Sequence, residues 1–338
     1  MNIYDIAEEA GVSPATVSRV LNNKTNVKES TRRKVLEIIE GKQYQPNMMA
    51  RNLSNGVSRN IAFLVPDIEN DFFAKVLHGI SDCAFENQYN VFMFGTDENV
   101  EQEHRILMNL QSEMVRGMII TPVDENDKES ARLLKVLEKR GIPVVLVDRD
   151  IHGVKLDGVF SNDVDGAAEA VQYLIDGGHR KIGIISGPES SRPGLTRLNG
   201  YKKAILDNNI EIRDEYIIKG DFREKDAYFG MEKLMQLPDP PTAVFTSNNL
   251  YTIGCLKYMK KNGLKLVKDI DVVGFDDIKA LECTDLDISV VDRPVYEMGY
   301  EAMRLLKKRF DDTSDTDKKR PTRRYMVDTW LVYRGKDE

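Results

Sequence analysis

Arg19 stands within Ser13-Pro14-Ala15-Thr16-Val17-Ser18-Arg19-Val20-Leu21-Asn22, a run whose side chains could read DNA. A guanidinium can place two donors against O6 and N7 of a guanine, or pair with a phosphate. If the run is helical, Pro14, Val17 and Leu21 share one side, and Ala15, Thr16 and Arg19 lie opposite, free to enter a groove. The competing interpretation is a small helical bundle with Arg19 simply solvated. Large charged side chains are expected on an ordinary solvated face, and this face has small ones.

Such a helix needs a support. Ile3, Ile6, Ala7 and Ala10 recur at i, i+3, i+4 and i+7, one apolar stripe on a preceding short helix. Asn2 stands at its N-cap position, and Asp5 favours the positive end of the same helix. Gly11 permits a sharp turn, and Ser13-Pro14 supplies a cap and a first-turn proline for the next helix. A third stripe, Val35, Leu36 and Ile39, can close a three-helix core. The pattern is a helix-turn-helix head over residues 1–45.

Charge divides the chain at the same place. Residues 1–59 carry nine Lys and Arg against six Asp and Glu, a net of +3, whereas the whole chain carries −7 and the remainder therefore −10. A basic head on an acidic body should hold DNA with the head and repel it with the body. Lys24 to Lys34 is the expected phosphate-contacting cluster, or else ordinary surface charge.

The 338 residues suffice for a head and one or two ordinary domains. Three distant cysteines, Cys83, Cys255 and Cys283, have no metal spacing and read as reduced core thiols of a cytosolic protein. There is no membrane-length apolar run and no signal-peptide pattern, so the expected location is cytoplasmic. The sequence has no nucleotide-binding glycine loop, no metalloprotease helix and no nucleophile elbow. Asp276-Asp277 could pass for paired carboxylates, but neighbours on a loop seldom converge on one atom. The expectation is no enzyme, no cofactor and no metal.

Residues 46–58 form a connector closed by Asn55-Gly56, within which Asn47 to Ser54 could make about two helical turns, too few to be stable alone. A flexible linker is the alternative. From Arg59 onward short apolar runs alternate with amphipathic stretches: 61–65, 91–94, 117–120 and 143–147, then 181–185, 216–218, 242–245 and 271–274. This alternation implies two doubly wound lobes of parallel sheet. Ligands bind beyond the carboxyl ends of such strands. Those ends carry Phe73, Asp148-Arg149, Arg192, Arg197, Asn248 and Asp276. Phe73 could instead be core, Asp276 a helix cap, and Arg197 the partner of a surface carboxylate.

Ile3-Tyr4-Asp5-Ile6-Ala7, Ala10-Gly11-Val12-Ser13, Thr16-Val17-Ser18-Arg19-Val20-Leu21-Asn22 and Tyr44-Gln45-Pro46-Asn47 resemble the N-terminal signature of the LacI/GalR family of bacterial transcription regulators. Lys28 departs from it, for relatives carry a Ser that caps the third helix. The resemblance implies a periplasmic-binding-protein type I core over 59–338, crossing between lobes near 148–162, 276–292 and in the C-terminal part. It implies DNA contacts from Ser13, Ala15, Thr16, Ser18, Arg19, Asn22, Asn26, Ala50 and Leu53. Residues 46–58 would include a hinge helix, with Leu53 as a minor-groove wedge.

The same resemblance, with the strand-end rule, implies an effector pocket of Phe73, Asp148, Arg149, Arg197, Asn248 and Asp276, to which this chain adds Arg293 where relatives commonly carry Gln before Pro. The expected protein is a dimeric repressor on palindromic operator DNA, controlled by a sugar-type effector. No leucine heptad follows Trp330, which predicts a homodimer rather than a tetramer. Arg149 and Arg293, with Ser161 and Asn249 where relatives carry Asp, move the expected cleft potential positive and predict a sugar acid such as a uronate. If the two arginines pair with local aspartates, a neutral sugar follows instead. A phosphocarrier protein acting as co-repressor is the other partner consistent with the family.

Overall fold

The computed structural model describes residues 2–21, 26–42, 58–111, 115–312 and 321–334. The chain divides into two compact units, Met1–Ser58 and Arg59–Glu338. Tyr44 to Asn47, Asn22, Lys24, Ala50, Leu53 and the whole hinge segment except Ser58 lie outside the described residues.

In the first unit α1 (Ile3–Ala10), α2 (Pro14–Leu21) and α3 (Glu29–Gly41) close on Ile6, Ala7, Ala10, Val17, Val20 and Val35. Asn2 Oδ1 accepts from the Tyr4 and Asp5 amides, and Asp5 Oδ2 accepts from Asn2 N at 2.7 Å, a reciprocal cap. Gly11 takes φ 68°, the left-handed turn its position requires. Leu36 does not join this core. It is 41% exposed, while Ile38 and Ile39 pack against the cluster, because α3 is rotated slightly from the expected stripe. Lys28 caps α3 with no side-chain hydrogen bond, so the departure from the family cap has a structural cost.

The second unit contains two six-stranded sheets. Lobe one holds β1 (Asn60–Val65), β2 (Asn90–Gly95), β3 (Gly117–Ile120), β4 (Val144–Val147), β5 (Asp157–Ser161) and β11 (Arg324–Val327), in the order β11-β5-β4-β3-β1-β2. Lobe two holds β6 (Ile182–Ser186), β7 (Ile217–Lys219), β8 (Ala243–Thr246), β9 (Asp271–Phe275), β10 (Val290–Asp292) and β12 (Trp330–Val332), in the order β12-β10-β9-β8-β6-β7. Every pairing is parallel except β10 with β12. The order reverses beside β1 in lobe one and beside β6 in lobe two. Each lobe thus has a switch point at which its strand ends open a crevice.

Helices cover both faces: α4 (Asp71–Glu86), α5 (Val100–Leu110), α6 (Lys128–Lys139) and α11 (Val295–Asp311) in lobe one. In lobe two they are α7 (Asp163–Asp176), α8 (Arg192–Asp207), α9 (Glu224–Met235) and α10 (Asn249–Asn262). Central strands such as β1 beyond Asn60 and β4 are apolar because both faces are buried. α4 and α11 meet at Gly79 and Gly299, where a Cβ would lie 2.0 Å from the Tyr296 and Val76 carbonyl oxygens respectively.

The chain crosses between lobes at three places: between β5 and α7, between β10 and α11, and between β11 and β12. The second crossing lies just beyond the expected 276–292, because β10 completes the lobe-two sheet before the chain leaves. Tyr216 ends a 3-10 turn instead of opening a strand. Cys83 and Cys255 are buried, but Cys283 is exposed on a 3-10 turn, against the expectation of a core thiol.

Candidate effector cleft and DNA-reading helix

The carboxyl ends of both sheets face one cleft. Its lining brings together Phe73, Asp148, Arg149, Arg197, Asn248, Asp276 and Arg293, all seven residues expected there. Arg192 is elsewhere, with its guanidinium over Phe160 at 5.3 Å. The lining adds Glu98 after β2 and Phe222-Arg223 after β7. Both follow edge strands, and extending the strand-end rule to those strands would have found them. The space left between these side chains is about 30 Å³, room for one or two waters.

Arg293 ties the floor together. Its Nε donates to Asp276 Oδ1 at 2.8 Å and its Nη2 to Asp276 Oδ2 at 3.2 Å. Its Nη1 donates to Asp148 Oδ1 at 2.6 Å and to Ser161 Oγ at 2.8 Å. Asp148 comes from lobe one and Asp276 from lobe two, so one guanidinium spans both. Both aspartates are left-handed, φ 67° and 68°, strain that the shared arginine over-determines. Burial pushes the Asp148 carboxyl up, but Arg293 foremost, with Arg197, holds it below the usual carboxylate range. Burial likewise disfavours the Arg293 charge, yet Asp276, Asp148 and Asp163 keep it firmly protonated.

Arg197 lies over the Phe275 ring at 3.7 Å, donates from Nε to Asp163 Oδ2 at 3.1 Å and from Nη1 to the Ser247 carbonyl at 2.6 Å. Arg149 donates from Nη1 and Nη2 to the two Glu98 oxygens, both at 2.7 Å. Arg149 Nε and Arg197 Nη2 are buried without a hydrogen-bond partner. An unmade buried donor costs about 1–3 kcal/mol, so each calls for an acceptor. Asn248 caps α10 through the Tyr251 amide at 2.8 Å, and Asn249 donates across the cleft to Asn70 Oδ1 at 2.9 Å.

The expected surplus of positive charge is not there. Four lining arginines (149, 197, 223 and 293) meet four lining carboxylates, Asp67, Glu98, Asp148 and Asp276. Arg149 and Arg293, expected to await a ligand carboxylate, are already paired with carboxylates of the chain.

In the head, Ala15 and Arg19 are exposed on α2, and Thr16 and Ser18 are half-buried. Ser13 Oγ accepts from the Thr16 amide at 3.2 Å and contacts the Thr16 hydroxyl at 2.9 Å, which fixes the start of the helix. Asn26 is exposed before α3.

Two family descriptions cover the chain: "Bacterial regulatory proteins, lacI family" matches residues 2–47, and "Periplasmic binding proteins and sugar binding domain of LacI family" matches residues 58–328. The chain belongs to the LacI family. This LacI-family chain is 35% identical to catabolite control protein A of Priestia megaterium, over 91% of its own length and 92% of that protein's. It is 35% identical to the probable HTH-type transcriptional repressor ExuR of Bacillus subtilis strain 168, over 88% of each. Its fold matches the transcriptional regulator CelR–cellobiose complex with a TM-score of 0.73, 26% identity and 99% coverage of both chains. Such relatives are DNA-binding regulators, not enzymes. Among the described residues no helix is long and apolar enough to cross a membrane.

Proposed function

We propose that this LacI-family chain is a cytoplasmic, dimeric, sequence-specific repressor whose affinity for a palindromic operator is set by a small neutral sugar held in the cleft. The observation that carries the effector class is the charge balance of the lining together with its two unpartnered guanidinium N–H groups. A polyhydroxylated ring brings acceptors for those donors and adds no uncompensated charge to a lining whose charges already balance. The solved CelR relative is a complex with cellobiose, which agrees with a neutral ligand of this kind. Ser13, Ala15, Thr16, Ser18, Arg19, Asn22 and Asn26 would meet the operator, with Ala50 and Leu53 in the minor groove.

A ligand that binds one lobe arrangement better than another shifts the population of that arrangement and, by linkage, the affinity for DNA. The test is a thermal-shift and gel-shift panel with glucose, galactose, cellobiose, glucuronate and galacturonate on palindromic and random duplexes. The expected result is stabilisation by at least one neutral sugar, with changed retention on the palindrome alone. Retention that is equal on random DNA and indifferent to every sugar overturns the assignment.

A further inference from the structure

Glu98 stands on the Asp97-Glu98 turn, and the turn is held from both lobes. Its two residues are both left-handed, φ 54° and 52°. The Glu98 amide donates to the Pro66 carbonyl at 2.9 Å within lobe one. From lobe two, Arg223 Nη2 donates to the Asp97 carbonyl at 2.6 Å and pairs with Asp97 Oδ1 at 2.8 Å. The Glu98 carboxylate is thereby set against both Nη atoms of Arg149, whose side chain is only 4% exposed. Nη1 also donates to the Pro122 and Val123 carbonyls at 3.4 and 3.3 Å, and the guanidinium lies over the Phe222 ring at 4.9 Å.

We infer that Glu98 is the charge-selectivity residue of the cleft: by occupying Arg149 it admits neutral sugars and rejects acidic ones. The inference rests on the proposed sugar site. A ligand carboxylate could reach the Nη atoms of Arg149 only by displacing Glu98 or by sharing the guanidinium with it. In the second case two carboxylates would share one guanidinium. A hydroxyl needs only the free Nε and leaves the pair intact. Selectivity of this kind works by repelling the wrong ligand.

The experiment compares full-length protein with Glu98→Gln, Glu98→Asp and Glu98→Gln/Arg149→Ala. Calorimetry gives the affinity for glucuronate relative to glucose, and for galacturonate relative to galactose. Melting in sulfate against chloride at equal ionic strength gives a sugar-independent reading of whether Arg149 has been released. Glu98→Gln is expected to raise the uronate-to-sugar ratio about tenfold, the scale of one charge-assisted contact. It should also gain a sulfate-dependent rise in melting temperature that the double variant lacks. Glu98→Asp, which keeps the charge, should retain the parent preference for neutral sugars and show no sulfate gain. No sulfate gain in Glu98→Gln, or the same gain in Glu98→Asp, overturns the assignment of Glu98. An unchanged uronate-to-sugar ratio despite the sulfate gain also overturns the assignment of Glu98, whereas a parent protein that binds none of these sugars overturns the sugar reading of the cleft.

Discussion

Arginine is used in opposite ways in the two units of this chain. In the head, Arg19 is exposed on α2, where its donors are available to an external partner. In the cleft, Arg149, Arg197 and Arg293 are each 3% exposed or less, and each lies within bonding distance of a carboxylate of the chain. The first kind contributes to binding and little to folding. The second is part of the fold itself, and a ligand meets only what its partners leave over.

The comparison breaks most visibly at Arg293. Arg293→Ala leaves Asp148 and Asp276 buried without their cation, and removing one partner of a buried pair costs about 3–5 kcal/mol. Chemical denaturation of the core unit should show that loss. A change below about 1 kcal/mol would mean that water enters the floor and that the ion pairs add little.

Acid should reach the same network next. The folded pKa of Asp148 is below its unfolded value, so its contribution is present above the unfolded pKa and is lost as pH falls through the folded one. Glu103 has the opposite sign. Burial raises it, against hydrogen bonds from Ser130 Oγ and the Val123 amide, so it opposes stability at neutral pH and ceases to do so on acidification. A Glu103→Gln variant should therefore lose less stability at neutral pH than its two hydrogen bonds suggest. The Arg293→Ala variant should show a flatter decline below pH 4 than the parent. Denaturation midpoints from pH 7 down to pH 2.5 test both, and parallel curves for parent and Arg293→Ala would remove Asp148 from the account.

How far this was legible in the sequence follows the same division. The head's periodicity, caps and turn are local, so Asn2, Gly11, Ser13 and Val17 could be placed from spacing alone; among the described residues Leu36, at the edge of its stripe, is exposed against expectation, and the buried Val20 was not picked out. The alternation of strands and helices gave the two lobes, and the strand-end rule with the family resemblance gave seven lining residues. Partners were not legible. Glu98 lies 51 positions from Arg149, and Asp148 lies 145 from Arg293, and no local pattern joins residues so far apart. β5, β10, β11 and β12 were missed because they are three to five residues long and sit at the crossings.

On the other side of the comparison, Arg19→Ala should leave folding within about 0.5 kcal/mol of the parent, as surface changes do. Its cost should fall on DNA, about 1–3 kcal/mol of operator discrimination if the side chain reads a base. Titration of palindromic and random duplexes separates the possibilities. Equal loss on both makes Arg19 a phosphate contact, and a large drop in melting temperature would place it in the fold after all.

The smallest effect expected is a gain, and it sharpens the division within the head itself. α1 and α3 belong to one core, yet α1 begins with a complete reciprocal cap and α3 begins at Lys28 with none. The first amides of α3 therefore depend on water, and Lys28 adds a positive charge where the helix dipole is already positive. Lys28→Ser supplies an acceptor and removes that charge, and a good N-cap is worth about 1 kcal/mol. If Lys28 also meets phosphate, the same substitution weakens DNA binding and reduces its salt dependence by about one counterion. Melting of the free protein and the slope of DNA affinity against salt answer the two questions separately. Higher stability with a shallower slope would make Lys28 a residue that gives up folding stability for DNA contact. Unchanged stability would mean that the backbone around Lys28 cannot adopt the capping geometry that the serine needs.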